Sequence, residues 1–375
     1  MRKLLFITFF ALFCNNLNAN TLEINGIWYN IIEKGNIAEV VRNPSIKTNS
    51  GTYSGDIVIP DKITYEDKEY NVITIKDAFL YSAELTSVSI PNTVTTIGSC
   101  AFKGCSELAT IIIPNSVTSI GSSAFSECSS MTSFTIPNSI TTIESGTFSE
   151  CKGLTTIEIP NTITKIESYA FSGCSALTSV TIPNSVSFIG GHAFEWCTNL
   201  TSISIPNSVI TIEWYAFSNC HSLSSIIIPN NITVIDNYLF MKCKKLNNIV
   251  LGTGITYIRK KAFAECDELT DVYCRAEDVP GLSEDAFNGS YPENISIHVA
   301  KQSVEKYQAK EEWSIFKQII AWNPNEEPTY LNAVKKVITT KENYYTITGK
   351  HLSAPQRGLN IIKKSDGTTR KVLIK

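Results

Sequence analysis

Histidine is scarce in this chain. His192, His221, His298 and His351 are the only four among 375 residues, and none falls in an HExxH or similar metal-ligating spacing. No GxSxG turn, glycine-rich phosphate cradle or pair of buried carboxylates stands out. The Asp-rich oxygen clusters that calcium takes are missing as well. These absences exclude the common hydrolase, nucleotide-binding and metalloenzyme signatures. No catalytic, cofactor-binding or metal-ligating residue is expected, and an enzyme is not. The formal net charge of −3 lacks the basic excess that nucleic acid requires of a partner. Long apolar runs are also lacking. The stretch Leu4 to Phe13 is too short to span a bilayer as a helix, so the mature chain is expected to have no integral membrane segment.

That short run follows Met1-Arg2-Lys3 and precedes Ala19, the order of a secretory signal peptide over residues 1–19. Cys14 raises a lipid anchor as an alternative. Phe13 before it is bulky, where a lipoprotein signal wants a small residue.

What the chain does have is a period. Phenylalanine recurs every 23 residues at Phe79, Phe102, Phe125, Phe148, Phe171, Phe194, Phe217, Phe240 and Phe263. A constant period means one structural unit stacked on copies of itself. Within a unit, Leu177 to Ile182 alternates apolar and hydroxyl residues as a half-buried strand does. Pro183 ends that strand, Asn184 turns the corner, and Val186 and Ile189 point inward from a second extended piece. Ala193, Phe194 and Cys197 have the spacing of a single helical turn before Leu200 opens the next coil. The Phe row is expected to form a continuous buried spine.

Eight cysteines share one row: Cys105, Cys128, Cys151, Cys174, Cys197, Cys220, Cys243 and Cys266. An exported protein invites a disulfide reading. Side chains in a parallel ladder lie about 4.8 Å apart and point the same way, whereas a bridge wants Cβ atoms about 3.8 Å apart. Free, buried thiols are therefore expected, and a linear row offers zinc no tetrahedral site. Cys100 and Cys274 lie off the row and are expected to be more accessible. Asn92, Asn115, Asn138, Asn161, Asn184, Asn207 and Asn230 each follow the corner proline and read as stacked structural amides. Glu144, Glu167, Glu213 and Asp236 recur at one coil position and read as solvated edge residues.

Two surfaces are candidates for binding. Tyr169, His192, Tyr215 and Tyr238 stand in register just before the Ala-Phe turn, with Trp214 beside Tyr215 and Trp196 in its own turn. They form either a lateral strip for a protein or glycan, or a self-stacked column that stiffens the solenoid. On the strand face, Ile112, Ile227, Val250 and Tyr273 are apolar where solvent is expected.

The order strand-IP-xx-V-xx-I-xxx-AF-xx-C resembles the BspA-like leucine-rich repeats of bacterial surface proteins. It covers residues 79–275 coil by coil, with a partial coil at Ile57-Val58-Ile59-Pro60. Ser82 and Leu251-Gly252 depart from it. The resemblance implies an α/β repeat solenoid of leucine-rich-repeat type, strand-rich with one-turn helices. The expected division is a β-hairpin cap over 20–56, the solenoid over 57–275 and a C-terminal cap over 276–325. In the last of these, Ser303 to Glu312 reads as a helix.

A small basic β-module over 326–375 follows the linker Glu326-Glu327-Pro328. From Leu331 onward it carries ten Lys or Arg against Glu342 and Asp366, a net +8 that leaves −11 for the rest. Its GK…GLNIIKKSDG…KVLIK order is similar to the sorting modules of the type IX secretion route; the alternative is a basic module that stays attached. Together the resemblances imply display outside the outer membrane of a Gram-negative bacterium and adhesion to host matrix or cell-surface proteins. Carbohydrate capture by Tyr169, Trp196, Trp214, Tyr215 and Tyr238, and a purely structural surface coat, are the alternatives.

Overall fold

The computed structural model describes residues 21–46 and 51–324, and four strand segments of the C-terminal module. The signal peptide expected at 1–19 and the linker expected at Glu326–Pro328 lie outside the described residues, as does Gly349-Lys350.

The body is a β-solenoid of about eleven turns whose coils build three parallel ladders, the first of them interrupted at residues 108–114, where no strand forms. Residues before the Ile-Pro corner build the first. Ser179–Thr181 pairs with Ser202–Ser204, and Ser225–Ile227 with Asn248–Leu251 and then Asp271–Cys274. The second holds Thr142–Ile143, Lys165–Ile166, Phe188–Ile189 and Thr211–Ile212. Partners differ by 23 residues throughout, so each side chain lies on its own counterpart. Between the ladders the corner is closed by the backbone, with Val186 N–H donating to Pro183 O at 3.1 Å. All seven corner asparagines are exposed, and only Asn230 uses its side chain, accepting from Thr253 N–H at 3.1 Å. The expected amide stack is absent among them because the backbone bond already satisfies the turn.

The third ladder replaces the expected one-turn helices. From Phe102 to Phe240, the residues two before, at, and two after each core Phe donate their N–H to the following coil; at Phe79 and Phe263 only the last two of these bonds form. Cys100 donates to Ser122, Phe102 to Ala124 and Gly104 to Ser126, at 2.8–3.0 Å. The residues between them donate three places back within their own coil, as Lys103 N–H does to Cys100 O. A helix would use every N–H internally. Alternate N–H groups cross to the neighbour instead, and the residues two before and two after the Phe, though not the Phe itself, take left-handed backbone.

The Phe row is the core. All nine are buried, and successive rings stack 5.1–6.0 Å apart with planes within 14° of parallel. The widest gap, Phe125 to Phe148, is where Phe134 inserts its ring at 4.9 and 4.8 Å from them. Tyr53 extends the spine at one end, and Phe287, one residue late in the period, joins it at 4.9 Å from Phe263.

At the N-terminal end Thr21–Ile24, Ile27–Ile32 and Ile37–Val40 form an antiparallel meander turning at Asn25-Gly26 and Gly35-Asn36, where positive φ suits Asn and Gly. Its last strand pairs in parallel with Lys68–Ile75. At the other end Ser296–Ala300 and Gln318–Trp322 continue the first ladder. The helix expected at Ser303–Glu312 covers only Val304–Gln308, since Lys310 is extended. Tyr307 and Trp313 are buried there, and Trp313 Nε1 donates to Pro280 O at 3.0 Å. Tyr307 also covers Cys274, its Oη 3.2 Å from Sγ, so Cys274 is buried and not accessible as expected. In the C-terminal module Asn343–Thr346 lies between His351–Leu352 and Gly358–Lys363, and the latter pairs with Thr369–Ile374, all antiparallel.

Candidate functional site

The strip residues occupy a strained backbone position. In eight successive coils, from Cys100 to Lys261, the residue two before the core Phe has φ between 52° and 64°. A second left-handed row lies two after it and includes Trp196, Asn219 and Lys242. An ordinary L-residue in this region costs about 1–2 kcal/mol. Gly146 avoids that cost; Tyr169, His192, Tyr215 and Tyr238 offset it by contact.

Their rings form one column. Tyr169 to His192 is 4.4 Å between centroids, His192 to Tyr215 4.9 Å and Tyr215 to Tyr238 4.4 Å, with planes within 8° of parallel. Each stacked pair contributes about 0.5–1.5 kcal/mol beyond its buried area. Trp214 meets His192 edge-on at 4.5 Å and Tyr215 at 5.5 Å. It has room because Gly191 has no side chain: a Cβ there would lie 3.1 Å from Trp214 Nε1. Gly191 N–H in turn donates to Glu213 Oε2 at 3.0 Å.

His192 is the buried centre of this cluster. Its Nδ1 lies 2.6 Å from Glu195 Oε2, while Nε2 has no hydrogen-bond partner among the described residues. Burial, then the neighbouring Tyr238, raises the Tyr215 hydroxyl above its ordinary pKa. Tyr169 and Trp214 remain 43% and 45% exposed, enough to meet another molecule.

Five of the six candidate residues are thus in one constellation: Tyr169, His192, Trp214, Tyr215 and Tyr238. Trp196 is not. It lies in the second left-handed row, against His221 at 5.9 Å. Burial, with Lys244 and Lys242 nearby, lowers the pKa of His221.

The carboxylate row is half-buried, unlike the solvated edge expected. Glu213 takes the Gly191 N–H, and Asp236 Oδ1 accepts from Asn237 N–H at 2.7 Å and pairs with Arg259 at 2.9 Å. Nor is the strand face an open apolar strip. Val250 is fully buried and Ile227 half-buried, whereas Ile112 alone stands out at 85% exposure. Tyr273, Val250's ladder partner, is closed by His298 stacked at 4.2 Å and Trp322 edge-on at 5.1 Å.

The cysteine row is free and buried, and it carries a bond. Each Sγ–H donates to the carbonyl of the Phe one coil earlier: Cys105 to Phe79, Cys128 to Phe102, and so on to Cys266 and Phe240, at 3.0–3.2 Å. Burial pushes the thiols of Cys105, Cys151 and Cys266 up to about 12 and the others upward too, which keeps the donor proton in place. Among the described residues no group of three or more His, Cys, Asp or Glu is placed to hold a metal ion. No helix among them is long and apolar enough to cross a membrane.

A family model described as the BspA type leucine rich repeat region matches residues 73–201 and 187–309, more than half of the chain. The chain belongs to the BspA-type leucine-rich repeat family. Solved structures similar to it include a leucine-rich repeat protein from Bacteroides ovatus, 22% identical over 80% of this chain and 100% of its own, with a TM-score of 0.49. A leucine rich cell surface protein from Faecalibacterium prausnitzii is 26% identical over 84% of this chain and 97% of its own, with a TM-score of 0.46. The pneumococcal vaccine antigen PcpA is 19% identical over 81% and 98%, with a TM-score of 0.40. No curated protein matches.

Within the BspA-type repeat, three features escaped the reading of the residues. The left-handed rows had a signal in Gly104, Gly146, Gly173 and Asn219, which recur two places from Phe. Gly191 as the seat of Trp214 had none. The thiol bond had one: Ser82 and Ser290 occupy the Cys slot at the two ends of the row, both are buried, and Ser290 Oγ donates to Phe263 O.

Proposed function

We propose that this BspA-type protein is an exported, non-enzymatic binding protein that presents the lateral aromatic edge of coils five to eight to a protein on a cell surface or in a host matrix. The observation that carries the reading is the column itself. Four rings stack in register with His192 buried among them, while Tyr169 at one end and Trp214 beside the column stay 43% and 45% exposed. Such a rigid aromatic edge with polar tips is the composition of a protein-binding hot spot. The basic module over 326–375 is read as an export signal for the outer surface, and 20–56 and 276–325 as caps of the solenoid at 57–275.

The test is capture from host-matrix and bacterial surface fractions by the full chain, beside the Tyr169→Ala/Trp214→Ala variant. Partners held by the first and lost by the second are expected. Equal capture by both would overturn the reading.

A glycan partner is the second reading, favoured by the partial exposure of the Trp214 and Trp196 side chains, 45% and 48%. Glycan-array binding abolished by Trp214→Ala would support it.

A further inference from the structure

We propose that the aromatic column has an unfilled fifth place above Gly146, and that an aromatic side chain of the partner protein stacks there on Tyr169. The inference rests on the reading that this edge binds a protein, and it names the anchoring contact.

The column's members are the residues two before Phe in coils five to eight. One coil further toward the N-terminus that position is Gly146. The backbone continues there without interruption: Gly146 N–H donates to Ser168 O at 2.9 Å, as Tyr169 N–H donates to Gly191 O. The glycine has φ +64°, and Tyr169, Tyr215 and Tyr238 hold 57–60° with full side chains. The missing ring is therefore a matter of the residue chosen, not of what the backbone accepts.

A Cβ on Gly146 would meet Ser123 Oγ at 3.0 Å, close enough that the serine hydroxyl has to give way, and beyond it only Ser149 Cβ at 3.9 Å and Ser123 Cβ at 4.0 Å. Tyr169 has one ring neighbour among the described residues, His192, and its other face looks across the gap. From Tyr169 to Ser123 is two coil spacings, about 9.6 Å. One planar ring placed midway would sit at the 4.4–4.9 Å separation that the column already repeats three times.

The walls favour an aromatic ring over a sugar. A pyranose needs several placed hydrogen-bonding groups. The hydroxyl nearest the slot is the single one of Ser123, and those flanking Gly146 in sequence are committed, Ser145 Oγ to Ser168 O at 2.9 Å and Thr147 Oγ1 to Glu144 O at 2.8 Å. An anchoring aromatic in a small, preformed slot is also how hot spots concentrate binding energy.

The experiment is a titration of the 15N-labelled full chain with N-acetyl-L-tyrosinamide, followed at the amides of Ser123, Gly146 and Tyr169. Shifts are expected in the native protein and in Tyr257→Ala, an exposed tyrosine elsewhere. They are expected to vanish in Gly146→Tyr, which fills the slot from within, and in Tyr169→Ala, which removes its wall. The spectra themselves report whether each variant is folded. Methyl β-D-galactopyranoside should leave the three amides unmoved. Shifts that persist in folded Gly146→Tyr, that appear only with the pyranoside, or that are absent from the native protein would each overturn the proposal. No natural partner enters this titration, so its outcome is independent of the capture experiment. Positive shifts with no captured partner would sink the functional reading and leave the slot.

Discussion

The thiol of Cys197 donates to the carbonyl oxygen of Phe171 across 3.2 Å, linking two residues 26 apart in the chain and one coil apart in space. The same carbonyl already accepts the N–H of Cys174 at 3.1 Å. Each core Phe from Phe79 to Phe240 thus supplies a ring to the spine and an acceptor to the next coil's cysteine.

Serine should replace cysteine here better than alanine does. Cys197→Ala is expected to cost about 1–2 kcal/mol, through the lost bond and the small void. Cys197→Ser keeps a donor, as Ser290 does for Phe263, and should cost less. Urea unfolding of the two variants decides it; equal losses would remove the bond's role.

The thiols also set an alkaline limit. Their pKa rises on folding from an ordinary 9.0 to about 12 at Cys105, Cys151 and Cys266, because burial disfavours the thiolate. A pKa raised in the folded state gives stability that is whole below pH 9 and is lost as pH climbs toward 12. The melting temperature should hold level to about pH 9 and then fall steeply. Replacing several row cysteines by serine should flatten that fall.

Truncating the spine should be severe. Phe194 is flanked by Phe171 at 5.2 Å and Phe217 at 5.6 Å, and Phe194→Ala should cost about 3–5 kcal/mol in chemical unfolding.

Backbone strain predicts a gain. Ser123 has φ +56°, and its side chain makes no stacking contact to offset that. Ser123→Gly should stabilise the protein by about 0.5–1 kcal/mol, whereas Ser122→Gly next to it, at an ordinary φ, should destabilise it by a similar amount.

Gly191→Val should unseat Trp214, since even a Cβ comes within 3.1 Å of its indole nitrogen. A shift of tryptophan emission in a protein that remains folded is the expected sign. An unchanged spectrum would show that the indole is not held there.

Much of the fold was legible because its signal is periodic. Phe79 to Phe263 recur without a slip, and a side chain placed once per identical coil can only line up with its copies. Cysteine burial followed from the same logic. What the pattern concealed is how hydrogen bonds divide between coils. AFxxC has helical spacing, and nothing in its letters says that alternate N–H groups cross to the next coil. The glycines two places from Phe were the trace of it. Cys274 was misread as accessible because Tyr307, 33 residues on, folds back over it. At the aromatic edge the residues were visible in register, but their mutual stacking, and the separation of Trp196 from the rest, depend on ring orientation that spacing alone does not determine.

The cross-coil bonds of the third ladder all run one way, from Phe79 N–H toward Ala101 O and onward to Glu265 N–H and Asn288 O. Donors therefore face the C-terminal end and acceptors the N-terminal end, a polarity akin to that of a helix. Gly51 N–H closes the acceptor end on Tyr81 O at 2.9 Å. Beyond the last coil, Glu284, Glu311 and Glu312 line a cleft of about 290 Å³ with Leu282, Ser283 and Ile315. The array is thus directional as a magnet is, and any further coil, or any second array set end-on, can extend it only head to tail.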